Sequence, residues 1–159
     1  MFQGRRHHHH RSFLKATASA VLLLCSLHSV ADGHAHHSMP QSPAPENARV
    51  YFIEPANGAV ISGGEVKVVF GLSGMEVAPA GTDKANSGHH HLLIDLDQMP
   101  DMTMPLPATD QVRHFGKGQT ETTVQLAPGR HRLQLLLGNY AHIPHNPPVL
   151  SEVIEITVK

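Results

Sequence analysis

An all-β, immunoglobulin-like antiparallel β-sandwich of about seven strands is the fold that this sequence predicts. Three observations carry that expectation. Short segments from residue 49 onward alternate apolar and polar residues, the period of a half-buried strand. The 13 Gly and 12 Pro punctuate those segments with turn signals. No apolar run with a 3.6-residue period of helical length occurs beyond residue 48. Trp is absent and aromatics make up 4% of the chain, so the core must rest on Val, Leu and Ile.

The chain divides into residues 1–31, 32–48 and 49–159. The first segment reads as an export signal. Arg5, Arg6, Arg11 and Lys15 form a positive region, residues 16–30 an apolar run, and Ser29-Val30-Ala31 offers small residues for cleavage. Ser26, His28 and Ser29 interrupt the run too soon for a stable membrane span. Leu22-Leu23-Leu24 precedes Cys25 where a lipoprotein signal needs small residues. Cleavage after Ala31 removes the single cysteine, and with it disulfide and thiolate chemistry, together with the run His7 to His10. It also takes four of the 12 Lys+Arg, leaving 8 against 13 acids and a net charge of −5. The expected product is periplasmic or secreted, free of cysteine and mildly acidic. Nothing in that balance suggests nucleic acid as a partner.

Residues 32–48 read as a flexible, His- and Pro-rich linker with Pro40, Pro43 and Pro45 and no apolar periodicity. The segment also holds His34, His36, His37 and Met39. A terminus at Asp32-Gly33-His34 would offer copper or nickel a square-planar nitrogen set. Cleavage after Ala35 would instead leave His36 with a free amine beside its ring.

Seven strands follow. Residues 49–53 alternate and stop at Glu54-Pro55, and Pro55-Ala56-Asn57-Gly58 is a turn. Residues 65–72 place Val66, Val68 and Phe70 on one face. A loop over 75–88 leads into Gly88-His89-His90-His91-Leu92-Leu93-Ile94-Asp95, the stretch with the most chemistry. Its more apolar face carries His90, Leu92 and Ile94, which assigns His90 to the rim of the core. His89 and His91 then point outward together, about 6.5 Å apart along the strand. A loop over 97–112 rich in Pro and Met precedes a short strand at 113–116. Strands at 120–126 and 130–137 flank the turn Ala127-Pro128-Gly129. A loop over 138–148 carries His142 and His145, and 151–158 closes the sandwich.

The candidate metal ligands are His89, His91, His142, His145 and His114, with His90, Asp95, His34 and His36 ranked below them. Imidazole is the commonest protein metal ligand. His-x-His on a strand presents two rings to one ion, and Pro144 stiffens the loop between His142 and His145. Four imidazoles suit copper or zinc. Asp95 would be a further ligand or would orient a ring. His131, one residue past a turn and heading an apolar face, reads as structural. Met99, Met102 and Met104 either supply thioethers to Cu(I) or plug a long loop. Catalysis by a nucleophile has little support: no nucleophile elbow is present, and Gly116-Lys117-Gly118 is a turn, not a phosphate cradle.

The segments Gly88-His89-His90-His91-Leu92-Leu93-Ile94-Asp95, His114-Phe115-Gly116-Lys117-Gly118-Gln119-Thr120-Glu121 and His142-Ile143-Pro144-His145-Asn146-Pro147-Pro148-Val149 resemble an exported bacterial family catalogued as domain of unknown function 4399. The resemblance covers about 49–159 and implies a small periplasmic β-domain with no assigned activity. Pro55-Ala56-Asn57-Gly58-Ala59-Val60 is also similar to periplasmic copper-resistance sandwiches, and the His-x-His strand resembles that of copper/zinc superoxide dismutases. Three functions are therefore expected in order: a metal-binding module, an interaction module with structural histidines, and a metal-dependent enzyme.

Overall fold

A computed structural model of the chain describes residues 40–159. The expected export signal, the tail histidines His34 and His36, and residues 32–39 of the linker lie outside the described residues. The described chain is all β, with no helix among its residues. Its strands are β1 (Arg49–Glu54), β2 (Val60–Ile61), β3 (Glu65–Ser73), β4 (Glu76–Val77), β5 (Ser87–Ile94), β6 (Val112–His114), β7 (Glu121–Gln125), β8 (Gly129–Gly138) and β9 (Ile154–Val158).

Two sheets form the sandwich. The smaller has the order β1-β3-β7, and the larger β2-β9-β8-β5-β4, with β6 also paired to β5. The seven expected strands are all present, and most pairings are antiparallel. The two additions, β2 on β9 and β4 on β5, are parallel pairs of two residues each. A two-residue strand shows no alternation, so pattern reading passes over it.

The core follows from the alternation. Val50, Val66, Val68 and Phe70 from the smaller sheet meet Leu92, Ile94, Leu133, Leu135, Leu137, Ile154, Ile156 and Val158 from the larger. Strand β5 differs from its neighbours because all eight of its residues are buried. Its second face is covered by a smaller apolar cluster of Leu93, Leu106, Val112 and Leu136, against which Leu96 and Met102 pack. The loop before β6 thus acts as a lid on β5. This corrects the expectation that His89 and His91 look outward to solvent. They face away from the main core, but loops close over them and both are 0% exposed.

Part of the presumed linker is docked on the domain. Gln41 Nε2 donates to the carbonyls of Met102 (2.6 Å) and Pro144 (3.2 Å). Pro43 bridges Asn146, and the amide of Asn146 donates to the Ser42 carbonyl. Prolines suit this role, since an extended segment with few donors can lie along a loop without a full ladder.

Asp95 and His131 tie the far end of β5 to β8. Asp95 accepts from the His131 ring at Nδ1 (2.7 Å) and from the Arg132 amide (2.7 Å), while His131 Nε2 donates to Ala127 (2.8 Å). Both carboxylate oxygens of Asp95 are therefore engaged by β8, at the His131 ring and the Arg132 amide. His131 is structural, as expected. Burial pulls the His131 pKa down, but the Ala127 carbonyl and the Asp95 carboxylate outweigh it and leave it raised. A raised value adds stability that is present below the unfolded value of 6.5 and lost as pH rises through the folded value. Denaturant melts of Asp95→Asn and parent should therefore differ more at pH 6 than at pH 8.5. A gap that is independent of pH would show that the charge on His131 plays no part.

Candidate metal centre

Three elements bring the histidines together. Strand β5 supplies His89 and His91 on one face by simple alternation. The pairing of β5 with β6 sets His91 directly opposite His114. The turn after β8 supplies His142. Ring centres lie 4.7 Å apart for His89–His91, 4.8 Å for His89–His142, 4.4 Å for His91–His114 and 4.9 Å for His114–His142. One ligand atom from each of His89, His91 and His142 falls within 4.8 Å of the other two, the spacing of a three-imidazole metal set.

The turn that carries His142 is stapled by Asn139, a residue that the sequence reading did not single out. Its Oδ1 accepts from the amides of Ala141 (2.9 Å) and Ile143 (3.0 Å), and its backbone exchanges hydrogen bonds with Ile143 and His142. His142 sits at φ 63, a left-handed conformation that a non-glycine residue keeps only when its surroundings hold it. The Leu106 amide donates to the His142 carbonyl (2.9 Å), so the lid over β5 grips the same turn. The available signal was Asn139 three residues before His142, since Asn side chains cap such turns.

Gly138 is the second missed residue. It faces His89 across the β5–β8 ladder. A Cβ at this position would lie 2.4 Å from His91 Cε1, so the missing side chain is what makes room for the His91 ring.

The electrostatics are those of neutral imidazoles under cover. Burial, then the neighbouring His142 and His114, push His89 down to about 4. Burial, with His89, His114 and His142, pushes His91 down to about 2. Burial and His114 lower His142 as well. Neutral rings keep the lone pair that a metal needs. Hydrogen bonding leaves these rings unsatisfied. His89 Nε2 lies 2.8 Å from His142 Nδ1, yet His89 Nδ1 and both nitrogens of His91 lack a partner in good hydrogen-bond geometry, the His89 backbone giving His91 only a weak upward pull. An unpaired buried polar group costs about 1–3 kcal/mol.

The remaining candidates go elsewhere. His145 does not pair with His142. Its Nε2 bonds the Ser87 carbonyl (3.1 Å) and its Nδ1 faces the Leu137 carbonyl (3.4 Å), clasping β5 to β8. The left-handed step at His142 and the bridge of Pro144 to Gly138 turn the two rings apart. His90 lies inside the main core, not at its rim, stacked on Phe70 with centres 4.9 Å apart. Both its nitrogens lack partners, and burial lowers it to about 4 although the Gln119 backbone pulls the other way.

Two outcomes follow. Above pH 6.5 these rings are neutral in both the folded and unfolded chains; below it the unfolded chain gains protons that His89 and His90 refuse until about pH 4. Metal-free protein should therefore lose stability as pH falls from 6.5 toward 4, and His90→Leu should flatten that slope. Denaturant melts in chelator at pH 7.5, 6 and 5 measure both, and a flat parent curve contradicts the burial account. Gly138→Ala should cost about 1–3 kcal/mol by crowding the His91 ring, read in the same melts; an unchanged midpoint would show that the ring has room to move.

The family described as Domain of unknown function (DUF4399) matches residues 68–159. No curated protein matches the chain. Among solved structures, the crystal structure of an engineered protein is similar at a TM-score of 0.40 and 12% identity, over 73% of this chain and 21% of that one. The match over 68–159 takes in β5, β6, the His142 turn and every histidine of the cluster, and the chain belongs to the DUF4399 family.

Proposed function

We propose that this domain is an exported metal-binding module holding one zinc or copper ion on His89, His91 and His142. The observation that carries the proposal is the pair of fully buried rings, three of whose four nitrogens have no hydrogen-bond partner, set beside a third ring within ligand spacing. An ion bound to these rings would take one nitrogen from each, and on His91 that is an atom the protein leaves unpaired. Three neutral imidazoles suit zinc and copper(II) alike. The thioether argument for copper weakens, because Met102 is taken up by the small apolar cluster. Export to the periplasm or beyond rests on the leader-like residues 1–31.

The interaction-module reading fits His131 and His145, whose nitrogens face protein oxygens, but not His89 and His91. A metal-dependent enzyme would use the same three rings with a fourth position for water.

Titration calorimetry on exported protein with His34, His36 and His37 changed to Ala tests the proposal. Zinc or copper should bind one to one with a Kd well below about 10 µM, and a hundredfold excess of free ion over Kd should add about 2.7 kcal/mol of stability. A His91→Ala, His142→Ala double variant should lose both effects. Equal binding by the double variant would remove the proposal.

A further inference from the structure

We infer, resting on the metal reading above, that His114 is a fourth ligand that closes over the ion after the buried rings have taken it. The starting point is a ring of rings. An imidazole bound at about 2.0–2.1 Å has its centre about 3.2 Å from the ion, so neighbouring rings of a four-imidazole shell have centres about 4.5–5.2 Å apart. The circuit His89–His91–His114–His142 has sides of 4.7, 4.4, 4.9 and 4.8 Å. Its diagonal, His91–His142, is 5.9 Å. The four ring centres therefore have the spacing of a slightly flattened shell, while the ligand atoms already within 4.8 Å of one another are those of His89, His91 and His142, so His114 has to turn to join them.

His114 is set apart from the other three by its hydrogen bond. Its Nε2 lies 3.0 Å from the Pro107 carbonyl. A carbonyl only accepts, so Nε2 carries the proton and Nδ1 keeps the lone pair. This is the arrangement in which metal-bound histidines are commonly held: one nitrogen on a carbonyl, the other on the ion. The bond to Pro107 works as a hinge, and rotation about it brings Nδ1 toward the shell without breaking it.

The burial pattern gives the order of events. His89 and His91 are fully buried, whereas His114 and His142 are partly exposed. The partly exposed rings lie on the solvent side of the buried pair, so an ion held by the buried rings is covered by them. Pro107 follows Leu106, whose amide holds the His142 carbonyl. The segment that anchors His114 thus also grips the His142 turn, and closing one ligand tightens the other.

The test compares the exported protein with His114→Ala and His114→Gln, both on a surface-facing ring whose loss leaves the apolar core intact. X-ray absorption on zinc-loaded protein counts the imidazoles, and chelator competition gives the release rate. The parent should show four imidazoles. Each variant should show three with an added oxygen, and should release zinc at least about tenfold faster. Unchanged shell and release rate in the variants, or a parent shell of three imidazoles, would overturn the fourth-ligand inference while leaving the three-histidine site standing. A parent that takes up no zinc or copper would overturn the metal reading itself, and this inference with it.

Discussion

Burying three consecutive imidazoles on a central strand is the constraint on which this domain turns. Strand β5 is covered on both faces, so alternation offers none of the three histidines an escape to solvent. Five of their six ring nitrogens have no partner. At about 1–3 kcal/mol each, the sum rivals the whole stability of a domain of this size, about 5–15 kcal/mol. On the face toward the lid, three of the five belong to His89 and His91, and an ion there would take one nitrogen from each ring.

The rest of the structure accommodates those rings. Gly138 gives up its side chain where the His91 ring lies. Asn139 locks a turn that forces His142 into a left-handed conformation. The lid packs Leu106 and Val112 over β5, and its amide at Leu106 grips the His142 turn. Gln41 ties the lid at Met102 to the loop after His142 at Pro144, and Pro43 pairs with Asn146 of that loop. His145 and His131, by contrast, spend their nitrogens on fastening strand ends. The same side chain thus serves as fastener where oxygens face it and as candidate ligand where none does.

Alternation made the strands legible, because Val66, Val68, Phe70 and Leu133, Leu135, Leu137 announce their faces residue by residue. The His89/His91 pairing was legible for the same reason. The cover over β5 was not, since a loop of Pro and Met carries no period that says where it lies. That error put His89 and His91 at the surface. The partnership of His91 with His114 depends on the β5–β6 register, which no local pattern encodes. The separation of His142 from His145 depends on backbone conformation at a single residue, and a spacing of three outside a helix does not say whether two rings share a side. Asp95 was read as a partner for a ring and is one, but for His131, across a strand pair.

Anomalous diffraction from crystals of the exported protein grown with zinc or copper is the most direct measurement of the central claim. The account predicts one strong anomalous peak within about 2.2 Å of a nitrogen of each of His89, His91 and His142. A fully metal-loaded crystal with its peak elsewhere, and those nitrogens still unpaired or bridged by water, would contradict it.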